Sequence, residues 1–227
     1  MKNVKRLIVY IIGLFIIAVG INVSKMSGLG ISPVSSIPRA LEVIWGFTLG
    51  TTTILVYCLL VLAQFLILRS KFRLVNILGI PVAIVFGFMV DLVGINPNAF
   101  GHLLYNFPRP ETYPLRLVYL IASLFIIGIG VFTYLQPNLI PMPAEGLAGA
   151  IFQKLKTRPF GDCKTMVDMS MICIALVLQL IFLGGIKSFT GDVVVVREGT
   201  IISAFCVGQV VKLLNKIASR RKNKTAV

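Results

Sequence analysis

Six stretches of this chain, Leu7–Ser24, Thr51–Leu68, Leu74–Val93, Leu115–Leu135, Met166–Leu183 and Thr200–Leu214, are apolar over lengths near those that a membrane span requires. A helix needs roughly 18 to 20 residues to cross the hydrocarbon core, because each residue adds about 1.5 Å. No water is present there to satisfy free N–H and C=O groups, and a helix satisfies them within itself. The chain is therefore read as an all-α polytopic membrane protein with about six transmembrane helices. Hydrophobic residues are 57% of 227 and charged residues 13%, well below the roughly 25% charged residues of a soluble domain. The longest polar stretch between spans, Gly94–Pro114, carries Phe100, Leu103, Leu104, Tyr105 and Phe107, and reads as a surface-lying loop or short amphipathic piece. The basic start before the first apolar run is like that of a signal peptide. No small-x-small cleavage site closes that run, and it reads as a retained first helix.

A net charge of +14 invites an anionic partner, but the location of the charges points elsewhere. They cluster at Lys2, Lys5 and Arg6, in Arg69–Arg73, in Lys154–Lys164, and in a tail bearing Lys212, Lys216, Arg220, Arg221, Lys222 and Lys224. Short basic loops beside apolar spans are what cytoplasmic retention produces, so the charge is a topology signal and nucleic acid is not expected as a partner. Pro33–Trp45 and Pro143–Leu155 are too short to span. If each dips in and returns to the same side, both termini and every basic loop become cytoplasmic, while Gly94–Pro114 and Gly184–Gly199 face outward.

The two halves also match each other. Leu14-Phe15-Ile16-Ile17 recurs as Leu124-Phe125-Ile126-Ile127, Gly20 aligns with Gly130, Leu29 with Leu139 and Pro33 with Pro143, all at a spacing of about 110 residues. With small insertions Gly50 aligns with Gly161 and Gly87 with Gly208. Repeat 1 is expected over 1–105, with spans 7–24, 51–68 and 74–93 and a half-helix at 33–45. Repeat 2 is expected over 106–227, with spans 115–135, 166–183 and 200–214 and a half-helix at 143–155. Three crossings per repeat is an odd number, so the second copy enters from the opposite side. That is the inverted-repeat plan of many transporters and channels.

The run Ser27-Gly28-Leu29-Gly30-Ile31-Ser32-Pro33, followed by Gly50, Gly79, Gly87 and Asp91, resembles the YczE/YyaS/YitT group of bacterial membrane proteins. The second half is similar, with Pro143-Ala144-Glu145-Gly146, Gly161, Lys164, Asp168, Gly199-Thr200 and Gly208. The resemblance covers nearly the whole chain and implies a multi-pass protein of the bacterial cytoplasmic membrane, described as a transporter without a settled substrate. The group often places an acid two residues after the half-helix proline in both halves. Here Glu145 fills that place in the second half and Ser35 in the first. The group's usual second-half Arg appears as Lys164, with Asp168 as its acid.

Ser32 before Pro33 is a good helix start. Two half-helix amino termini meeting at mid-membrane would each offer free N–H donors and about half a positive charge, which favours an anion or a carbonyl-rich solute. Glu145 lies in the first turn of the second half-helix, where its carboxylate either caps that helix or lines the path of a solute or proton, since acids at membrane depth are functional by default. Lys164 and Asp168, spaced i, i+4, can pair on one face; the pair either orients its span or belongs to the site. Ser35, Ser36, Arg39 and Glu42 can share part of a face, and Arg39 either meets the solute or snorkels outward. Tyr57 aligns with Asp168 and either supplies a hydroxyl to the site or packs the core. Asp91 reads as interfacial, Trp45 as an interface anchor, and Gln64, Gln179 and Gln209 as amides bonding across helices.

The candidate solute-binding set is thus Ser32, Ser35, Ser36, Arg39, Tyr57, Glu145, Lys164 and Asp168. Cys58, Cys163, Cys173 and Cys206 form no metal or disulfide pattern, and His102 has no metal partner beside it in sequence. No catalytic motif or nucleotide loop is present, so neither an enzyme nor a cofactor is expected. The expected function is transport or facilitation of a small polar or anionic solute. The alternatives are a channel of similar architecture, or a structural or regulatory membrane protein that supports a partner complex. Solute and bilayer are the expected partners, with homo-oligomerisation left open.

Overall fold

The computed structural model describes residues 2–95, 101, 103–155, 159–183 and 195–224, and the expectation for His102 lies outside them. Eight α-helices and two short 3₁₀ turns make up the regular structure among these residues, with no strand. The α-helices are α1 (Lys2–Ser27), α2 (Pro33–Trp45), α3 (Leu49–Leu68), α4 (Gly79–Val93), α5 (Tyr113–Leu135), α6 (Pro143–Leu155), α7 (Phe160–Phe182) and α8 (Glu198–Lys224). Six segments within or around α1, α3, α4, α5, α7 and α8 are long and apolar enough to cross a membrane.

The short helices α2 and α6 have the bounds expected from the sequence, since proline suits a first helical turn whose N–H would be unpaired anyway. Gly46 then closes α2 at φ 72°, with its N–H on the Glu42 carbonyl at 2.9 Å. Trp45 is half-exposed and meets Phe47 edge-on. Three spans differ from the sequence reading. Residues 74–78 form a 3₁₀ turn, and α4 proper starts at Gly79, just before Pro81. Helix α7 begins six residues before Met166, so Lys164 lies on a helix and not in a loop. Helix α8 runs ten residues past Leu214 into the basic tail, whose Lys and Arg side chains are good helix formers.

Between lipid tails apolar burial gives no net driving force, so close packing holds the helices together. The crossing of α1 and α5 is the most extensive contact. It is built on glycine: a Cβ on Gly13 would lie 2.5 Å from the Tyr134 backbone nitrogen. Helix α3 shows the complementary face. Leu55, Leu59, Leu62 and Leu66 form an exposed stripe at helical spacing, while Val56, Tyr57, Val61 and Gln64 are buried.

The helix pairings come in matched sets. Helix α1 packs on α4 as α5 packs on α8, α2 packs on α7 as α6 packs on α3, and α2 neighbours α3 as α6 neighbours α7. One set is unequal, because α4 lies along α3 whereas α8 barely touches α7 among the described residues.

Candidate functional site

The segments that lead into α2 and α6 are non-helical, yet their backbone groups have partners. Gly28 and Gly30 take φ of 65° and 109°, angles that side chains disfavour. The Ile31 N–H donates to Thr200 Oγ1 at 3.2 Å, the Gly199 N–H to the Leu29 carbonyl at 2.9 Å, and Ser24 Oγ to the Gly30 carbonyl at 3.2 Å. On the other approach Arg6 donates to the Pro137 carbonyl, Tyr10 Oη to that of Ile140 at 2.8 Å, and Gln64 Nε2 to that of Pro143 at 3.0 Å. These bonds fix where the two helix starts sit.

Both starts open on one cavity of about 560 Å³. Ile17 and Ile21 of α1 with Ile127 and Val131 of α5 give it an apolar part, while α7 contributes Asp162, Lys164, Thr165 and Asp168 and α8 contributes Ser203, Gln209 and Lys212 among apolar neighbours. Six of the eight candidates line it: Ser32, Ser35, Tyr57, Glu145, Lys164 and Asp168. Asp162 and Lys212 add a carboxylate and an ammonium that the sequence reading had not singled out. A signal existed for Lys212, which follows Gly208 by four residues as Asp91 follows Gly87.

Glu145 lines this cavity from the first turn of α6. Its place in the first turn of α6 puts its carboxyl beside the Met142 backbone, the reach-back placement of an N3 residue. Its Oε2 is buried without a partner among the described residues. A buried unpaired carboxylate oxygen is costly and selects for a donor from outside the chain or for a bound proton. Lys164 Nζ pairs with Asp168 Oδ1 at 2.6 Å on α7, and both stand close enough to act electrostatically on Glu145. A second cavity of about 300 Å³ shares Glu145, Phe160 and Lys164 with the first.

The remaining candidates fall out as follows. Ser32 sits at the amino-terminal cap of α2 but makes no cap bond; its Oγ donates instead to Ser35 Oγ at 3.2 Å. Tyr57 lines the cavity while its ring stacks on Phe86, 5.8 Å between centroids and 5° between planes. Ser36 turns away from the cavity, donating to the Pro33 carbonyl at 2.6 Å and to the Met171 carbonyl at 3.3 Å. Arg39 also lies elsewhere, with Nη1 2.6 Å from Glu42 Oε2, while Lys25 Nζ stands 2.5 Å from Glu42 Oε1. Lys25 was not expected as a partner; its place at the polar end of the first apolar run was the available signal.

Several other polar side chains join helices to one another. Asp91 accepts from Thr48 Oγ1 at 2.6 Å and from the Gly50 N–H at 2.7 Å, joining α4 to the start of α3. Gln64 and Gln179 bond across elements, Gln179 Oε1 accepting from the Val196 N–H at 2.8 Å. Gln209 lines the cavity. The four cysteines are unbonded, and no cluster of metal-ligating side chains exists among the described residues.

These features describe a multi-pass helical membrane protein with a partly open cavity among its helices, mostly apolar and studded with charged side chains. The chain belongs to a family of unknown function, DUF6198, whose model matches residues 4–216. It is 28% identical over 177 residues to a protein of Bacillus subtilis (strain 168) named "Uncharacterized protein YyaS", covering 78% of this chain and 81% of that one. The YyaS side of the motif resemblance therefore stands. No solved structure matches the chain.

Proposed function

We propose that the protein moves a small polar solute across the bacterial cytoplasmic membrane, binding it in the cavity between the starts of α2 and α6. The observation that carries this reading is Glu145: a residue at a helix start that lines a cavity of about 560 Å³ and has a buried carboxylate oxygen without a partner among the described residues. That volume lies within the usual 300 to 1,000 Å³ of small-molecule sites. Three acids, Glu145, Asp162 and Asp168, and two ammonium groups, Lys164 and Lys212, line the cavity together, which favours a solute with both donors and acceptors over a simple anion.

In this reading the halves are inverted repeats, α2 and α6 are re-entrant half-helices, and both termini are cytoplasmic. The matched helix pairings and the recurring glycines and prolines support that arrangement, as does the wider likeness to the YczE and YitT proteins. The cavity performs no bond chemistry and needs no cofactor, and nucleic acid is not a partner. A structural role supporting a partner complex is the second reading, favoured by α8, the least buried of the six spans.

Proteoliposomes bearing the purified chain, supplied with an isotope-labelled polar metabolite extract, test the proposal. Time-dependent accumulation of specific solutes above protein-free liposomes is expected. Uptake indistinguishable from protein-free liposomes across the extract would overturn it in favour of the structural role.

A further inference from the structure

Gly50 of α3 and Gly87 of α4 form a closed seam. A Cβ on Gly50 would strike the Gly87 carbonyl oxygen and the Asp91 carboxyl, and one on Gly87 would strike Ile54 and lie 2.7 Å from the Gly50 carbonyl oxygen. Asp91 holds the seam through its bonds from Thr48 and the Gly50 N–H. The matching residues of the second half are Gly161 on α7 and Gly208 on α8. Among the described residues neither has an atom of another part of the fold within 4 Å of where its Cβ would stand, and both line the large cavity. Lys212 occupies the place of Asp91 in this second pair, and Asp162 adjoins Gly161 on the facing helix.

The same two glycines thus occur twice, packed in one half and apart in the other. Glycine inside a helix costs about 1 kcal/mol relative to alanine, and its usual return in a membrane is close backbone approach. Gly208, inside α8, makes no such approach among the described residues, and Gly161 in the first turn of α7 leaves the matching side equally open. Two related halves with one seam shut and the equivalent seam open describe one of two states that exchange by swapping which seam is shut.

We infer that the protein is a carrier of the alternating-access kind and not a channel: α7 and α8 close through Gly161 and Gly208 over the cavity while the Gly50–Gly87 seam opens. Closure brings the Lys212 ammonium to the Asp162 carboxylate, an ion pair in the place of the Asp91 bond to the Gly50 N–H. The two seams are never open together, so no continuous pore forms. This inference rests on the transport reading above.

The test uses the full chain with Cys58, Cys163, Cys173 and Cys206 replaced by alanine and the pair Gly161→Cys and Gly208→Cys introduced, reconstituted in liposomes. A disulfide needs the two Cα atoms within about 7 Å, so oxidation traps the pair only if the seam closes. Expected are a cross-linked product on gels and uptake of the labelled extract that falls about tenfold or more, returning on reduction. A second variant, Gly161→Leu, fits the open space seen here; it keeps wild-type yield and melting temperature and loses uptake by a similar factor. Single Asp162→Lys and Lys212→Asp variants are impaired, and combining them restores uptake. Wild-type transport without any cross-link, or with unimpaired Gly161→Leu, would overturn the inference alone. A wild-type chain that moves no solute would instead remove the transport reading, while the cross-link still reports whether the seam closes.

Discussion

Gly20 and Gly130 hold equivalent places in the crossing of α1 and α5: a Cβ on Gly20 would lie 2.6 Å from Ile127 Cγ1, and one on Gly130 would lie 2.7 Å from Ile17 Cγ1. Each glycine receives the isoleucine that precedes the other by three residues. The crossing is reciprocal, as expected where two like helices meet across a two-fold relation. Replacing either glycine by leucine overpacks the seam, at about 1–3 kcal/mol. Gly20→Leu and Gly130→Leu should each lower the melting temperature in detergent and the folded yield, by similar amounts. A wild-type melting temperature for either would argue against a close-packed seam.

Glu42 is buried between two cations, Lys25 and Arg39, with side-chain exposures of 5%, 7% and 17% respectively. Removing the acid leaves a buried ammonium without its counter-charge, a loss of about 3–5 kcal/mol in such sites. Glu42→Gln should therefore cost more stability than Arg39→Gln, whose partner keeps Lys25. Thermal unfolding of both variants in one detergent checks the order, and an Arg39→Gln loss as large as that of Glu42→Gln would contradict it.

Asp91→Ala deprives the Gly50 N–H and the Thr48 hydroxyl of their acceptor. An unpaired buried donor costs about 1–3 kcal/mol, so the melting temperature should fall, while Asp91→Asn, which retains one acceptor oxygen, should fall less. Equal losses would mean that charge and not hydrogen bonding holds α4 to α3.

Hydropathy made the six spans legible, and prolines made the starts of α2 and α6 legible, because each signal acts locally. The ends of α7 and α8 were not, since polar residues such as Asp162, Lys164 and Lys216 continue a helix without an apolar marker. At the site, the likeness of the halves drew Ser32, Ser35, Glu145, Lys164 and Asp168 to one place. Ser36 and Arg39 were grouped with them too broadly: Ser36 is one residue and about 100° around the helix from Ser35, enough to aim it at α7. Lys25 was missed because its partner Glu42 comes from another helix, and Lys212 because it was counted with the basic tail.

The topology proposed here puts residues 69–73 on the cytoplasmic side and residues 101–112 outside. In a cysteine-free background, Lys71→Cys in intact cells should resist a membrane-impermeant thiol reagent and Glu111→Cys should react. External labelling at position 71 would contradict the inverted arrangement.

Solute binding in the cavity depends most on Glu145, whose amide keeps the shape and one side-chain oxygen while removing the carboxylate from the cavity lining. Uptake of the labelled extract and extract-induced thermal stabilisation should be measured on the same purified Glu145→Gln preparation. The account predicts wild-type yield and melting temperature without solute, with uptake reduced about tenfold or more, equivalent to about 1.4 kcal/mol or more of lost interaction. Undiminished uptake with an unchanged pH profile would contradict it and leave Glu145 as the cap of α6 alone.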